Sequence, residues 1–226
     1  MTGYTFDPAV IWQNLPYLLG GLRETLIVSA LGILGALCIG IVGGTIRTFA
    51  IPALNGFVRG YVEFVRNTPF LVQLFFLFFA LPEIGVKLSG FTVAWVALMI
   101  HGGAYNVENF RAGFGATAAG FREGARALGL SGWQAFRHVT LPIGVRTALP
   151  SVTNTCISVL KGSSLMVAIG FPELTDRAVS IVGTTFRVYE MFFTIAVLYL
   201  LVVWLLSALM QWVERRLAVP GLGVSA

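Results

Sequence analysis

The chain has 226 residues, of which 57% are hydrophobic and 11% charged, with a formal net charge of +5. A soluble domain carries roughly a quarter charged residues, so this balance predicts a membrane protein and argues against a soluble enzyme.

The N-terminal stretch MTGYTFDPAVIWQNLPYL has no basic leader and no short apolar run ending in small residues. No removable signal peptide is expected. A spanning helix needs about 20 mostly apolar residues, and the uncharged run Thr25 to Ile46 meets this, so the first span is placed at about 18–49. Gly32, Ala36, Gly40 and Gly44 fall at every fourth position along it. Such a seam lets another helix approach closely, either within one bundle or across a subunit interface.

NTPFLVQLFFLFFALP, from Asn67 to Pro82, is too short to cross alone. A helix starting near Arg59 and bent at Pro69 carries it across as a second span, about 57–81. The uncharged run Leu88 to Val107 supplies the third, about 89–113. On it His101, Tyr105 and Glu108 share a face at i, i+4 and i+7, while Asn106 falls on a different side. Asn106 and Glu108 are taken as candidate cavity residues, with a network inside the bundle as the alternative.

The segment 118–142 is the one long water-loving stretch in the middle of the chain. Phe121, Ala125 and Leu128 fall on one face of a short amphipathic helix, away from Arg122, Glu123 and Arg126. Gly129 can take the left-handed conformation that ends it, with Leu130 covering the turn. Ser131 precedes Gln134 by three residues, the spacing of a capping box. A second short helix then carries Trp133, Phe136 and Val139 until Leu141 and Pro142 stop it. A helix-turn-helix for DNA is the rival reading, but no third helix fits between the spans to complete its core.

The fourth span is placed at about 143–169, although Lys161 interrupts it. Ser151, Asn154, Thr155, Ser158 and Lys161 lie within an arc of roughly 120° on this helix. A cation inside a membrane faces a cavity or a partner, so Lys161, Ser158 and Asn154 are candidate substrate contacts. Gly162, Ser163 and Ser164 follow, a weak helical sequence expected to expose backbone groups as broken transporter helices do. Alternatively the hydroxyls bond to the preceding turn and Lys161 reaches the interface. The outer loop Gly170 to Arg187 is read as a solvated connection or a docking surface, and the fifth span runs from about 187 to 214.

Lys and Arg near span ends are retained on the cytoplasmic side. Arg47, Arg59 and Arg66 flank the first loop, Arg111 to Arg146 the third, and Arg215 and Arg216 follow the last span, whereas Arg23, Lys87, Arg177 and Arg187 lie on the other side. The N-terminus is thus expected outside and the C-terminus in the cytoplasm, and the positive charge reflects topology, not nucleic acid. Cys38 and Cys156 fall inside spans and are read as packing residues. No HExxH, cysteine-pair metal motif or GxSxG elbow occurs, so no catalytic or metal-binding residue is assigned.

The hairpin sequence resembles the cytoplasmic loop of ABC importer permeases: E-A-A, three residues, G, nine residues, then I-x-L-P. Here Glu123, Gly124 and Ala125 are followed by Gly129 and then by Val139 to Pro142. Gly124 and Val139 depart from that pattern. VEFVRNTPFLVQLFF, GGAYNVENFRAG and SVLKGSSLMVAIG are similar to the polar amino-acid importers of this group.

The resemblance implies an all-α membrane protein of five transmembrane helices with the type I importer architecture, forming one permease domain over 1–226. It implies a second permease subunit, identical or homologous, two ATP-binding cassette subunits and a periplasmic amino-acid-binding protein, in a bacterial inner membrane. Arg122, Glu123, Gly124, Ala125, Leu128 and Gly129 would form the coupling contact with the ATPase. Lys161 would serve as counter-ion to an amino-acid carboxylate, with Ser158, Asn154, Ser163, Ser164, Asn106 and Glu108 around it. The chain has no GxxxxGK[ST] loop, so ATP and Mg belong on the partners. A secondary transporter or channel working without an ATPase is the other reading.

Overall fold

The computed structural model describes residues 5–117 and 119–217, without the side chain of Arg122. Among the described residues there is no strand. The helices are α1 (Pro8–Phe49), α2 (Pro52–Asn67), α3 (Phe70–Glu83), α4 (Gly90–Gly115), α5 (Ala119–Ala127), α6 (Gly132–Ile169), α7 (Leu174–Thr185) and α8 (Val188–Leu217). Helices α1, α6 and α8 are each long and apolar enough to cross a membrane, and α2 with α3 gives another crossing if the pair is taken as one span. Helix α4 has 26 residues, long enough by its rise, but His101, Asn106, Glu108 and Asn109 dilute its apolar character.

Helix α1 starts where Asp7 Oδ1 accepts the Ala9 N–H at 2.9 Å and Pro8 occupies the first turn, an N-cap followed by a residue that needs no donor. Its 42 residues span about 63 Å, well beyond the apolar thickness of a bilayer, roughly 30 Å. The extra N-terminal length packs Leu18 against Leu174, Ala178 and Met191. The helix therefore begins well before the expected boundary.

The glycine seam of α1 is used inside the chain. Gly32 abuts Leu98, Gly40 abuts Asn106 and Phe110, and Gly44 abuts Phe110. From the other side, a Cβ on Gly102 would meet Ala36 Cβ at 3.0 Å. Below this seam Phe110, Phe114, Phe136, Val152 and Cys156 form one buried cluster; above it Val28, Leu74, Leu98, Val159 and Met166 form another. Cys156 is thus a packing residue, while Cys38 lies exposed on α1.

Helices α2 and α3 meet at 109°, a sharper break than the bent single span expected from Pro69. Thr68 is extended (φ −111°, ψ 141°), as the residue before proline must be. Val58, Val62 and Val65 face inward along α2, and Tyr61 donates its hydroxyl to the Ile100 carbonyl at 2.6 Å.

Leu141 and Pro142 do not stop the second arm of the hairpin. A π-turn, Phe136–Thr140, joins Gly132–Ala135 to Leu141–Gly162, so hairpin and fourth span are one continuous helix. The Leu141 N–H reaches back to the Phe136 carbonyl. The wider turn relieves the clash that a proline ring makes with the preceding turn. The same device precedes Leu81 and Pro82, where the Leu81 N–H reaches the Phe76 carbonyl.

Gly162 to Ser164 also behave differently from the expected opening. The helix tightens into a 3-10 segment, Ser163–Ile169. Ser163 and Ser164 donate their hydroxyls to the Leu160 and Lys161 carbonyls, at 2.7 and 2.8 Å. The outer loop is likewise structured, holding α7, whose Leu174, Ala178 and Ile181 are buried.

Inserting a side chain into the seam should be disruptive. A Cβ on Gly40 would collide with Asn106 Cβ, whereas nothing lies within 4 Å of one on Gly60. Gly40→Leu should lower stability by about 1–3 kcal/mol or more, read as a lower thermal midpoint in detergent. Gly60→Ala should leave the midpoint unchanged or raise it slightly.

Candidate functional site

Two faces of the molecule carry polar chemistry in an otherwise apolar body. The first lies between α4 and α6. Asn109 Nδ2 donates to Thr155 Oγ1 at 2.9 Å and to Asn106 Oδ1 at 3.2 Å, which ties the helices together. Beside this tie opens a cleft of about 260 Å³, lined by His101, Gly102 and Tyr105 from α4 and by Asn154, Thr155, Ser158 and Val159 from α6. The His101 ring packs between Phe70 at 4.7 Å and Tyr105 at 5.1 Å. Its Nδ1 is buried without a hydrogen-bond partner among the described residues. The Arg66 guanidinium stands over the Tyr105 ring at 5.2 Å, within cation–π range.

Among the residues singled out from sequence, Asn154 and Ser158 line this cleft. Lys161 continues the same stripe one turn further on and is exposed, as are Ser151, Asn154 and Ser158. Ser163 is buried, and Ser164 is tied to its own backbone. Asn106 is 1% exposed and faces Gly40. Glu108 pairs with Arg111 at 2.8 Å and with Arg47 at 3.7 Å. Neither Asn106 nor Glu108 is among the residues lining the cleft.

By its charge Arg66 is expected only to flank the first loop; the structure puts it in the last turn of α2, with its guanidinium beside Tyr105. The i, i+4 spacing of His101 and Tyr105 carried a signal for their shared face. Nothing local announced Arg66, because its position depends on the break between α2 and α3.

The second face is the hairpin. Gly129 ends α5 with φ +73°, and the Leu130 N–H donates to the Ala125 carbonyl at 3.1 Å, the bond expected of a glycine-terminated helix. Ser131 N–H donates to Gln134 Oε1 at 2.8 Å while Gln134 N–H donates to Ser131 Oγ at 3.3 Å, completing the capping box. Phe136 roots the arm against Phe49 at 5.0 Å and Phe114 at 5.3 Å. Ala125 turns inward, 3% exposed, while Leu128 projects with 80% of its surface free. Glu123 is exposed, and Gly124 has open space around it. The side chain of Arg122 lies outside the described residues.

The profile of the family described as binding-protein-dependent transport system inner membrane component matches residues 36–219. This chain belongs to that family. The glutamine transport system permease protein GlnP of Escherichia coli (strain K12) is 38% identical over 216 residues, which are 95% of this chain and 99% of the relative. A probable amino-acid ABC transporter permease protein, PatM of Vibrio harveyi, is 34% identical over 94% of this chain and 96% of its own. Among solved structures, a crystal structure of an amino acid ABC transporter with histidines superposes with a TM-score of 0.87 at 32% identity, covering 94% of this chain and 100% of that one. An inward-facing MetNI methionine ABC transporter chain, at 21% identity and a TM-score of 0.79 over 95% of this chain and 100% of its own, shares the fold.

As an inner-membrane transport component the chain is a permease subunit, not a catalyst, and ATP hydrolysis falls to a partner. The hairpin carries the EAA motif and coupling helix typical of this family, and the fold is that of the type I importer permeases.

The permease has one more polar cluster, at the end remote from the hairpin. Glu173 is fully buried and caps α7, its Oε1 accepting the Asp176 N–H at 2.8 Å. Its Oε2 accepts hydroxyls from Tyr199 at 2.8 Å and Thr25 at 3.3 Å, so α1, α7 and α8 meet on one carboxyl. Nearby, Arg177 donates to the Tyr17 carbonyl at 2.8 Å, passing Gly20 and Gly21; at Gly21 an added Cβ would lie 2.9 Å from the Glu173 carbonyl and the Leu174 Cα.

Burial pushes the Glu173 carboxyl above its ordinary value, and the donors around it oppose this only in part. The folded chain then holds the proton more tightly than the unfolded one. That stabilisation is complete below the ordinary glutamate range and is lost as pH rises through the raised value. Glu173→Gln should therefore flatten the fall in thermal midpoint as pH rises above the ordinary glutamate range. An equal slope in both proteins would show that the carboxyl does not titrate there.

Proposed function

We propose that this permease subunit moves a polar amino acid from periplasm to cytoplasm. The observation that carries the reading is the row Ser151, Asn154, Ser158 and Lys161, exposed on a helix whose opposite side, Val152, Cys156 and Val159, is buried. Lipid cannot solvate such a row, and a membrane-buried cation turns toward water or a partner. A second permease subunit, identical or homologous, placed against this face would enclose an aqueous path. The names of the glutamine and amino-acid relatives support the substrate class. Lys161, one turn beyond Ser158 on the same exposed row, is the counter-ion for the carboxylate of an amino acid, with Asn154 and Ser158 as neutral hydrogen-bonding groups beside it.

In this reading α1, α4, α6, α8 and the α2–α3 pair make five crossings in one permease domain. The distribution of Arg and Lys supports an outer N-terminus and a cytoplasmic hairpin and C-terminus. Two ATPase subunits receive the hairpins of the permease pair, and a periplasmic amino-acid-binding protein delivers substrate from the other side. ATP and Mg act on the partners. Leu128 is the apolar projection that seats in the ATPase, and Arg122, Glu123, Gly124, Ala125 and Gly129 shape the contact. Because the hairpin arm and the polar stripe belong to one helix, movement at Ser131 is passed to Ser158 without an intervening loop. A channel would have no need of this arm.

Leu128→Arg should reduce ATP-driven uptake in proteoliposomes by at least about tenfold, since it buries an unpaired charge at the contact, while leaving the permease inserted. Normal uptake and normal ATPase stimulation would remove the hairpin from the coupling path.

Lys161→Ala should raise the substrate concentration needed for half-maximal uptake by about tenfold, the loss of one hydrogen bond to a charged group. An unchanged value would take Lys161 out of the substrate path. Comparing labelled amino acids in the same assay identifies the one carried.

A further inference from the structure

At the root of the hairpin the ends of α1 and α4 meet α5 and α6 around a second, larger cleft of about 470 Å³. Three guanidinium groups line it, those of Arg47, Arg111 and Arg126, together with Phe49, Phe114 and Phe136. Among the described residues a single carboxylate answers them. Glu108 Oε2 holds Arg111 Nε at 2.8 Å, and Glu108 Oε1 lies 3.7 Å from Arg47 Nη2. Arg47 Nη1 also donates to Asn55 Oδ1 at 3.3 Å. Arg126 makes no ion pair among the described residues, and Arg47 Nε is buried with no hydrogen-bond partner among them. Among the described residues, three cations against one carboxylate leave a concave site with two positive charges uncompensated.

We propose that this cleft binds the phosphodiester headgroup of an anionic phospholipid such as phosphatidylglycerol. The chemistry of the lining is two-sided, as a lipid's is. Guanidinium groups present paired donors that match phosphate oxygens, while the Phe49 and Phe136 rings, 5.0 Å apart, offer an apolar wall for the glycerol and the first acyl carbons. Exposed Trp133 lies 6.2 Å from Phe49 at the rim, and tryptophan favours the headgroup level of a bilayer. Basic pockets between helices at that level are suited to anionic headgroups.

The cleft is also separate from the projecting part of the hairpin. Leu128 points into solvent, whereas the floor at Phe114 and Phe136 is buried. A recessed site of this kind admits a mobile headgroup more readily than a protein knob. A phospholipid here would brace α1, α4 and the hairpin together, so the inner-leaflet composition would bear on coupling whichever amino acid is carried.

Native mass spectrometry of the full chain tests this, alone and with its ATPase subunit, after incubation with dioleoylphosphatidylglycerol or dioleoylphosphatidylcholine. Phosphatidylglycerol should add one tightly held molecule per chain in both samples, and phosphatidylcholine should not. Arg126→Gln should weaken that binding roughly fivefold and Arg47→Gln by a similar factor, the effect expected of one basic group near an anionic surface. Arg126→Lys should restore part of it. Arg126 has no ion pair among the described residues, so its variants report on the ligand even if Arg47→Gln fails to fold.

Equal binding of the two lipids, or phosphatidylglycerol held undiminished by Arg126→Gln, would overturn the proposal. So would a lipid present on the free chain but absent from the ATPase-bound one, which would give the arginines to acidic side chains of that partner. None of these outcomes depends on whether the substrate is an amino acid.

Discussion

The close approach of α1 and α4 is the contact on which the rest of the structure depends. Lipid tails are as apolar as leucine, so burial of apolar surface does not by itself press membrane helices together; dispersion contacts at short range do that work. Gly32, Gly40 and Gly44 on one helix and Gly102 on the other remove the side chains that would hold them apart. Each glycine weakens its own helix by about 1 kcal/mol relative to alanine, and the tight packing offsets that loss. With α4 held in this register, Asn106 faces Gly40 and Asn109 reaches Thr155 on α6. The placement of His101 and Tyr105 beside Asn154 and Ser158 follows from those two contacts.

A second theme is the continuity of α6. One helix contains the capping box, the hairpin arm, the polar stripe and the 3-10 segment that leads to the outer loop. The helix passes both Pro142 and Pro150 without stopping. A single element therefore runs from the hairpin at one end to the outer loop that holds Glu173 at the other. The permease has apolar surface to spare on α8, where Leu200, Leu201, Trp204 and Leu205 are exposed, in keeping with a lipid-facing position.

Much of this was legible from residues alone where the signal was local. The capping box at Ser131 and Gln134 and the left-handed Gly129 each rest on a short spacing rule, and each is present; the expected apolar face of α5 is divided, with Ala125 buried and Phe121 and Leu128 exposed. The family was legible from the same stretch. The polar stripe was visible because it repeats with the helical period. What escaped reading depended on contacts across the chain or on one unusual turn. Leu141 and Pro142 look like a stop signal, and only the i to i+5 bond from Leu141 to Phe136 lets the helix run through them. Gly162 to Ser164 look weak, yet the serine hydroxyls turn back to the preceding carbonyls and the segment tightens. The loop after Gly170 looked like a connection because a buried glutamate has no sequence signature; its partners, Thr25 and Tyr199, are more than a hundred and about two dozen residues away in sequence, respectively.

The π-turn at Phe136–Thr140 has an angular consequence. It contains one residue more than a regular ladder requires, and each residue of an α-helix advances the azimuth by about 100°. Excising one residue there would straighten the ladder and rotate Ser151 to Lys161 toward the interior, bringing Val152, Cys156 and Val159 round to the outside. The orientation of the polar face relative to the knob is thus written as a count of amino acids. Exchanges of knobs between related subunits have to preserve that count, and a graft that keeps every recognition residue but omits the extra one would deliver its thrust to the wrong side of the rod.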